Sequence, residues 1–223
     1  MTPAARIAAA IELLAAIEGA PRKPADAIAN DFFRNRRFIG SGDRRAISER
    51  AWGVIRARRR LDWWLQQAGG RTNPRLLVAA QLLLTGWSLD GVGQGFSGGQ
   101  FGPTHLSQAE TAMLGPLETH TLDHPGMPLA VRLEVPDWIV PHLQTRFGDA
   151  LEAEMAAMGE PAPLDLRVNI LKGSRDAAQA ALAAEGIEAA PTPLSPWGLR
   201  IAGRRLVSTG AAFQSGLVEI QDE

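Results

Sequence analysis

Through the first 158 residues, apolar positions recur at steps of three and four, the spacing of helices that pack by one face. "ARIAAAIELLAAIEGA" reads as an Ala/Leu/Ile helix closing near Gly19. A second helix is predicted over residues 26–34, followed by a turn at "GSGD" in which Asp43 stands ready to cap the next helix. That third helix is predicted to run to about Gln67, where "GGRTNP" stops it. At about 100° per residue, its Ile47, Ala51, Val54, Leu61 and Leu65 share one buried face. Further helices are predicted at 75–87, about 107–115 with Ser107 as N-cap, 137–147 and 149–158. After that the period changes. The prolines of "GEPAPL" mark a boundary, and residues 164–171 alternate apolar and polar as a strand does. Residues 174–185 form an Ala-rich helix closed by Gly186, and "IEAAPTPLSP", "WGLRIAG" and "GLVEIQ" read as short strands. The expected fold is mainly α: a helical domain over 1–158, then a small α+β module over 159–223.

Composition narrows the chemistry. The chain has no cysteine, which excludes disulfides, zinc–thiolate sites and thiol catalysis within it. Its four histidines are scattered; His120 and His124 have the i,i+4 spacing of a metal pair, but Pro125 and Gly126 follow at once, so loop histidines are expected and no metal site. No apolar run is long enough to span a membrane, and Glu12 and Glu18 stand where a signal peptide would be apolar, so a cytoplasmic protein is expected. The net charge of −1 conceals a marked asymmetry. Residues 1–60 hold 13 Lys/Arg against 6 Asp/Glu, whereas residues 61–160 hold 4 against 11. A neutral chain with one concentrated basic end suits a polyanionic partner.

One motif points elsewhere. In "GVGQGFSGG", Gly93, Gly95 and Gly98 spell the G-x-G-x-x-G pattern that cradles a dinucleotide pyrophosphate. The chemistry needs a strand before the loop and a helix opening at its end. Here the preceding "RLLVAAQLLLTGW" has helical spacing, and a proline intervenes before the next N-cap. A flexible or weakly helical connection is the expected role, with no cofactor.

The candidate RNA contacts lie in the basic end. Arg45, Arg56, Arg59 and Arg60 project from the third helix opposite its apolar stripe, with Trp52 and Trp63 among them. Arg58 falls inside the stripe, so it must pair with an acid or mark a helix edge. Arg36 and Arg37 sit beside Phe32, Phe33 and Phe38, whose rings are expected to anchor the core. Arg167, Asn169 and Lys172 of "LRVNILK" could reach nucleic acid from a strand of the small module, or form its solvent face. Trp87, Trp138 and Trp197 are expected in core or interface. The competing expectation is that the arginines fold back onto the acidic 61–160 region and bind nothing.

"DFFRNRRFIGSGDRRAISERAWGVIRARRRLDWWL", "EPAPLDLRVNILKGSRDAAQAALAAEGI", "PTPLSPWGLRIAGRR" and "FQSGLVEIQDE" together resemble the N-terminal half of the RsmB/Sun-type (Fmu) RNA cytosine-C5 methyltransferases. The resemblance implies a helical domain like that of NusB, an RRM-like subdomain, and then a Rossmann-type domain binding S-adenosylmethionine (SAM). It implies RNA, most naturally 16S rRNA, as the partner. The family's SAM loop and two catalytic cysteines lie beyond the equivalent of Glu223, so the chain alone is expected to be inactive, and "GLVEIQDE" to lead into a catalytic domain. The alternative is a free-standing NusB-like module that binds RNA and protein without enzymatic activity.

Overall fold

A computed structural model describes residues 1–160, 162–203 and 206–223 of the chain. Pro161 of the boundary segment and Arg204 and Arg205 of "AGRR" lie outside the described residues. The chain divides into two compact units, Met1–Gly159 and Glu160–Glu223.

The first unit is helical. Helix α1, Pro3–Glu18, starts at Thr2, whose hydroxyl accepts from the Ala5 N–H at 3.2 Å, and buries Ile7, Ala10, Leu13 and Leu14. Two further helices, α2 (Ala25–Arg34) and α3 (Ser41–Arg56), both pack on α1. After α4 (Arg58–Gln67) comes α5 (Pro74–Leu84), capped by Asn73 and buried along nearly its whole length. This explains why "RLLVAAQLLL" has so few polar positions: neighbours surround it, so no face is left to water. Next are α6 (Leu89–Gly95) and α7 (Gln108–Leu114), the latter opened by a reciprocal capping box between Ser107 and Glu110. The unit ends with the short α8 (Leu129–Arg132), α9 (Val140–Phe147) and α10 (Leu151–Gly159), joined partly by 3-10 turns.

Two expectations fail here. The third helix is broken at Ala57, whose φ of −112° and ψ of 23° are not helical, so residues 43–67 form two helices. The apolar stripe survives the break: Ile47, Ala51, Val54, Leu61 and Leu65 are all buried, and Ala57 joins them. Asp43 does not cap α3, which begins at Gly40; its carboxylate instead takes the terminal amine of Met1 at 3.0 Å and Arg6 Nε at 2.7 Å. Those cations, the amine first, hold the Asp43 carboxyl below the usual carboxylate range.

The second unit runs β1 (Leu164–Val168), α11 (Arg175–Ala184), β2 (Ala189–Pro191), β3 (Gly198–Ile201), α12 (Ala211–Gln214) and β4 (Val218–Ile220). The sheet order is β2-β3-β1-β4 with every neighbouring pair antiparallel. That is the split β-α-β arrangement of ferredoxin-like modules. Leu166, Val168, Leu199, Ile201 and Val218 pack with Ala178 and Leu182 of α11 into a core of its own. The strand predicted over 164–171 stops at Val168, because Asn169 turns the chain: its side chain accepts from the Leu171 N–H and donates to the Gly216 carbonyl.

Candidate nucleic-acid interface

Between α2 and α3 lies an open basin of about 710 Å³. Arg34 and Arg37 come to it from the end of α2 and the following turn; Arg44, Arg45 and Trp52 come from α3. Three features fit it to a phosphate chain. Arg37 and Arg45 are exposed and make no ion pair among the described residues. Trp52 is half-buried, packed on the helical core by one side, so its ring is held rather than loose. Arg56, also exposed and without an ion pair among the described residues, continues the line along α3. On a regular helix Arg45, Trp52 and Arg56 lie within about 20° of a common line, since seven and eleven residues each close nearly whole turns. Arginine guanidinia beside an aromatic platform serve both phosphate contact and base stacking.

The other predicted arginines are engaged within the protein. Arg36 lies over the Phe32 ring at 3.8 Å and bonds Glu12 at 3.1 Å, which ties α1 to the α2–α3 turn. Arg58 pairs with Glu18 and Asp62 as the first residue of α4, so it both meets acids and marks a helix edge. Arg59 donates to the Val135 carbonyl and to Asp137, and Arg60 to Glu134 at 2.9 Å and Asp123 at 2.8 Å. Burial pulls the Arg60 guanidinium down, but its two carboxylates outweigh this and raise it. Arg59 and Arg60 thus follow the competing expectation of pairing with the acidic 61–160 region. The break at Ala57 turns them off the α3 line and toward the acidic segment 118–137, where opposite charge and short distance hold them.

The small module offers less than its topology promises. On the side of the central strands away from the core of the module stand Asp165 and Arg167 of β1 with Gly198 and Arg200 of β3, and none of these four is an aromatic that could stack a base. Asp165 is 3 % exposed and takes Arg200 through two bonds of 2.8 and 2.7 Å. Arg167 pairs with Glu219 at 2.8 Å. Asn169 and Lys172 lie in the turn after β1 rather than on a strand, and both donate to carbonyls of the α12–β4 turn, Gly216 and Ser215. Their polar groups fasten one turn to another, which corrects their placement on a strand.

Other expectations divide. Phe32 is buried and Phe33 half-buried, but Phe38 is 75 % exposed and anchors nothing. Trp138 is 71 % exposed, and Trp87 and Trp197 are also partly open, so none is a core residue. His120 and His124 are loop residues, as expected, with rings tilted against Trp64 and Trp63 respectively. Among the described residues no group of three metal-ligating side chains occurs, and no helix is long and apolar enough to cross a membrane. The glycine motif begins in α6, which follows helix α5 and not a strand. Gly95 is small for packing: a Cβ there would lie 2.6 Å from Ile7 Cδ1. Basin residues that the sequence reading missed include Arg44, Ser48, Asp26 and Asn30. The i,i+4 steps from Arg44 to Ser48 to Trp52 and from Asp26 to Asn30 are legible in the sequence, but the gap between α2 and α3 is not.

Residues 135–208 match the family described as the Methyltr_RsmF/B-like, ferredoxin-like domain. Over 87 residues the chain is 36 % identical to ribosomal RNA small subunit methyltransferase B of Xylella fastidiosa (strain 9a5c), covering 39 % of this chain and 21 % of that protein. The same-named protein of Photorhabdus laumondii is 32 % identical over 87 residues, 20 % of its length. The crystal structure of PH0851 superposes on the whole chain with a TM-score of 0.65 at 19 % identity, taking up 54 % of that protein and so sharing the fold. The chain thus spans about a fifth of the curated relatives it matches and about half of PH0851. The resemblance to the RsmB/Sun-type RNA methyltransferases holds over these matched stretches, and the fold of a helical region followed by a small α+β module is shared with PH0851.

Proposed function

We propose that this chain is the RNA-binding, NusB-like N-terminal region of a SAM-dependent 16S rRNA cytosine-C5 methyltransferase, working in the cytoplasm. In this reading it positions RNA for a catalytic domain outside these 223 residues. The names of the relatives supply ribosomal RNA and methyl transfer. The observation that carries the RNA role is the basin lined by exposed Arg37 and Arg45 and by Trp52, continued along α3 by Arg56, with none of the three arginines in an ion pair among the described residues. Phosphate contacts fix register and orientation without reading sequence, which is what a positioning domain has to do.

The residues present do not fit SAM. The glycine pattern begins within α6, which packs on α1 and follows a helix, without the strand whose end would aim amides at a bound nucleoside. The absence of cysteine likewise leaves no thiolate to attack cytosine. Chemistry is therefore assigned to the rest of the protein. Calorimetric titration of this chain with SAM should give no specific heat; stoichiometric micromolar binding would overturn that assignment.

The RNA role is tested by the salt dependence of binding to single-stranded RNA. Each phosphate neutralised contributes about 0.7 to the slope of log affinity against log salt, so R37Q/R45Q/R56Q should flatten it by about 2. Circular dichroism checks that the variant is folded. A folded variant with unchanged affinity and slope would show that the basin does not meet RNA.

A further inference from the structure

Resting on the RNA reading above, we propose that the basin between α2 and α3 receives an unpaired guanine, and that Asp26 selects it. A plain phosphate clamp has no use for a carboxylate, which repels phosphate and weakens its arginine neighbours. Yet Asp26 lines the same basin as Arg34, Arg37, Arg44 and Arg45, and no ion pair among the described residues neutralises it. Asn30, one helical turn along α2, lines the basin beside it.

The basin is graded in charge. Its four arginines gather where α2 ends and α3 begins, whereas Asp26 opens α2 and Trp52 lies in the last turns of α3. A nucleotide matches this order, with its phosphate on the arginines, its ring against Trp52 and its edge toward Asp26. Asp26 Oδ1 accepts the Ala27 N–H at 2.8 Å, which fixes the carboxylate while leaving lone pairs on both oxygens. Guanine alone presents two adjacent donors, N1–H and the 2-amino group, on its Watson–Crick edge. Adenine, cytosine and uracil each set an acceptor next to a donor, so a carboxylate meets one bond and one repulsion. The edge must also be free of pairing, because in a duplex cytosine occupies it.

The test measures fluorescence anisotropy with short oligouridine RNAs that differ only at a central guanosine, inosine, adenosine or cytidine. Guanosine should bind about tenfold tighter than adenosine or cytidine, the discrimination that goes with a two-bond base contact. Inosine, which lacks the 2-amino group, should fall between. D26N should bring the four RNAs to within about twofold of each other without loss of salt-dependent binding. Equal binding of the four RNAs by the native chain, with the salt slope intact, overturns the guanine proposal and leaves the RNA reading standing. Absence of binding to every RNA overturns both. The native chain's oligonucleotide series decides the matter even if D26N proves unstable.

Discussion

Glu134 at once accepts from first-turn amides of α4 and serves as the counter-ion of Arg60. Its Oε2 accepts from the Arg59 N–H at 2.8 Å, and its Oε1 accepts from the Arg60 N–H at 3.1 Å and from Arg60 Nε at 2.9 Å. Both side chains are largely buried, at 18 and 21 % exposure. The first-turn amides of α4 are orphan donors that the break at Ala57 creates, and a residue 74 positions away in sequence satisfies them. Glu134 reaches them from a left-handed backbone, φ 55°, the one non-glycine in that region among the described residues.

Glu134→Ala should therefore destabilise the helical unit by about 2 kcal/mol, combining a lost cap with a charge-assisted bond. Glu134→Gly should lose about 1 kcal/mol less, since glycine adopts the left-handed backbone without cost. Urea unfolding of the two variants beside the native chain measures both. Equal losses would mean that the backbone conformation carries no strain.

The two sets of arginines should separate. R59Q/R60Q should lower stability by about 1–2 kcal/mol, nearly all through the Arg60–Glu134 bond, because exposed partners such as Asp123 and Asp137 contribute little. Its RNA salt slope should stay native, in contrast to R37Q/R45Q/R56Q. If R59Q/R60Q instead flattens the slope at unchanged stability, the ion pairs open in solution and the basic surface is larger than the basin.

In the small module the Arg200 hydrogen bonds hold the Asp165 carboxyl below the usual carboxylate range, against the opposing pull of burial. A carboxyl depressed in the folded state adds stability that is complete above its unfolded value, near pH 4, and disappears as pH falls through the folded value. Replacing Arg200 by alanine leaves only the Glu223 backbone hydrogen bond to oppose burial, so acid unfolding of the module should begin at a higher pH. Denaturation series between pH 7 and pH 2 for the native chain and R200A check the direction. Coincident acid limbs would show that the pair contributes nothing.

The glycines of α6 give a local test of the rejected cofactor motif. Gly93 is helical with no atom within 4 Å of a Cβ built on it, so Gly93→Ala should stabilise the chain by about 0.5–1 kcal/mol. Gly95→Ala must push Ile7 Cδ1 aside in a packed interior and should cost about 1–2 kcal/mol. Thermal unfolding distinguishes them. A loop built for a phosphate would show no such opposition of sign.

The sequence by itself determined which residues go inside and which elements they form. Periodicity located α1, α2, α5, α7, α9, α10 and the whole strand–helix–strand pattern of the small module, apart from α12. It also identified the buried stripe from Ile47 to Leu65, because burial follows from spacing along one element. Ser107 with Glu110 could be read as a cap for the same reason: both partners lie within four residues. What only the tertiary structure decided was the fate of the charges. Arg56, Arg59 and Arg60 look alike in sequence, and a single break at Ala57 leaves the first in water and delivers the others to Glu134, Asp137 and Asp123. An ion pair depends on where a distant loop returns, and local pattern carries no information about that return. The basin is tertiary for the same reason. Its α2 and α3 walls are each legible alone, but the space between them exists only because both helices pack on α1.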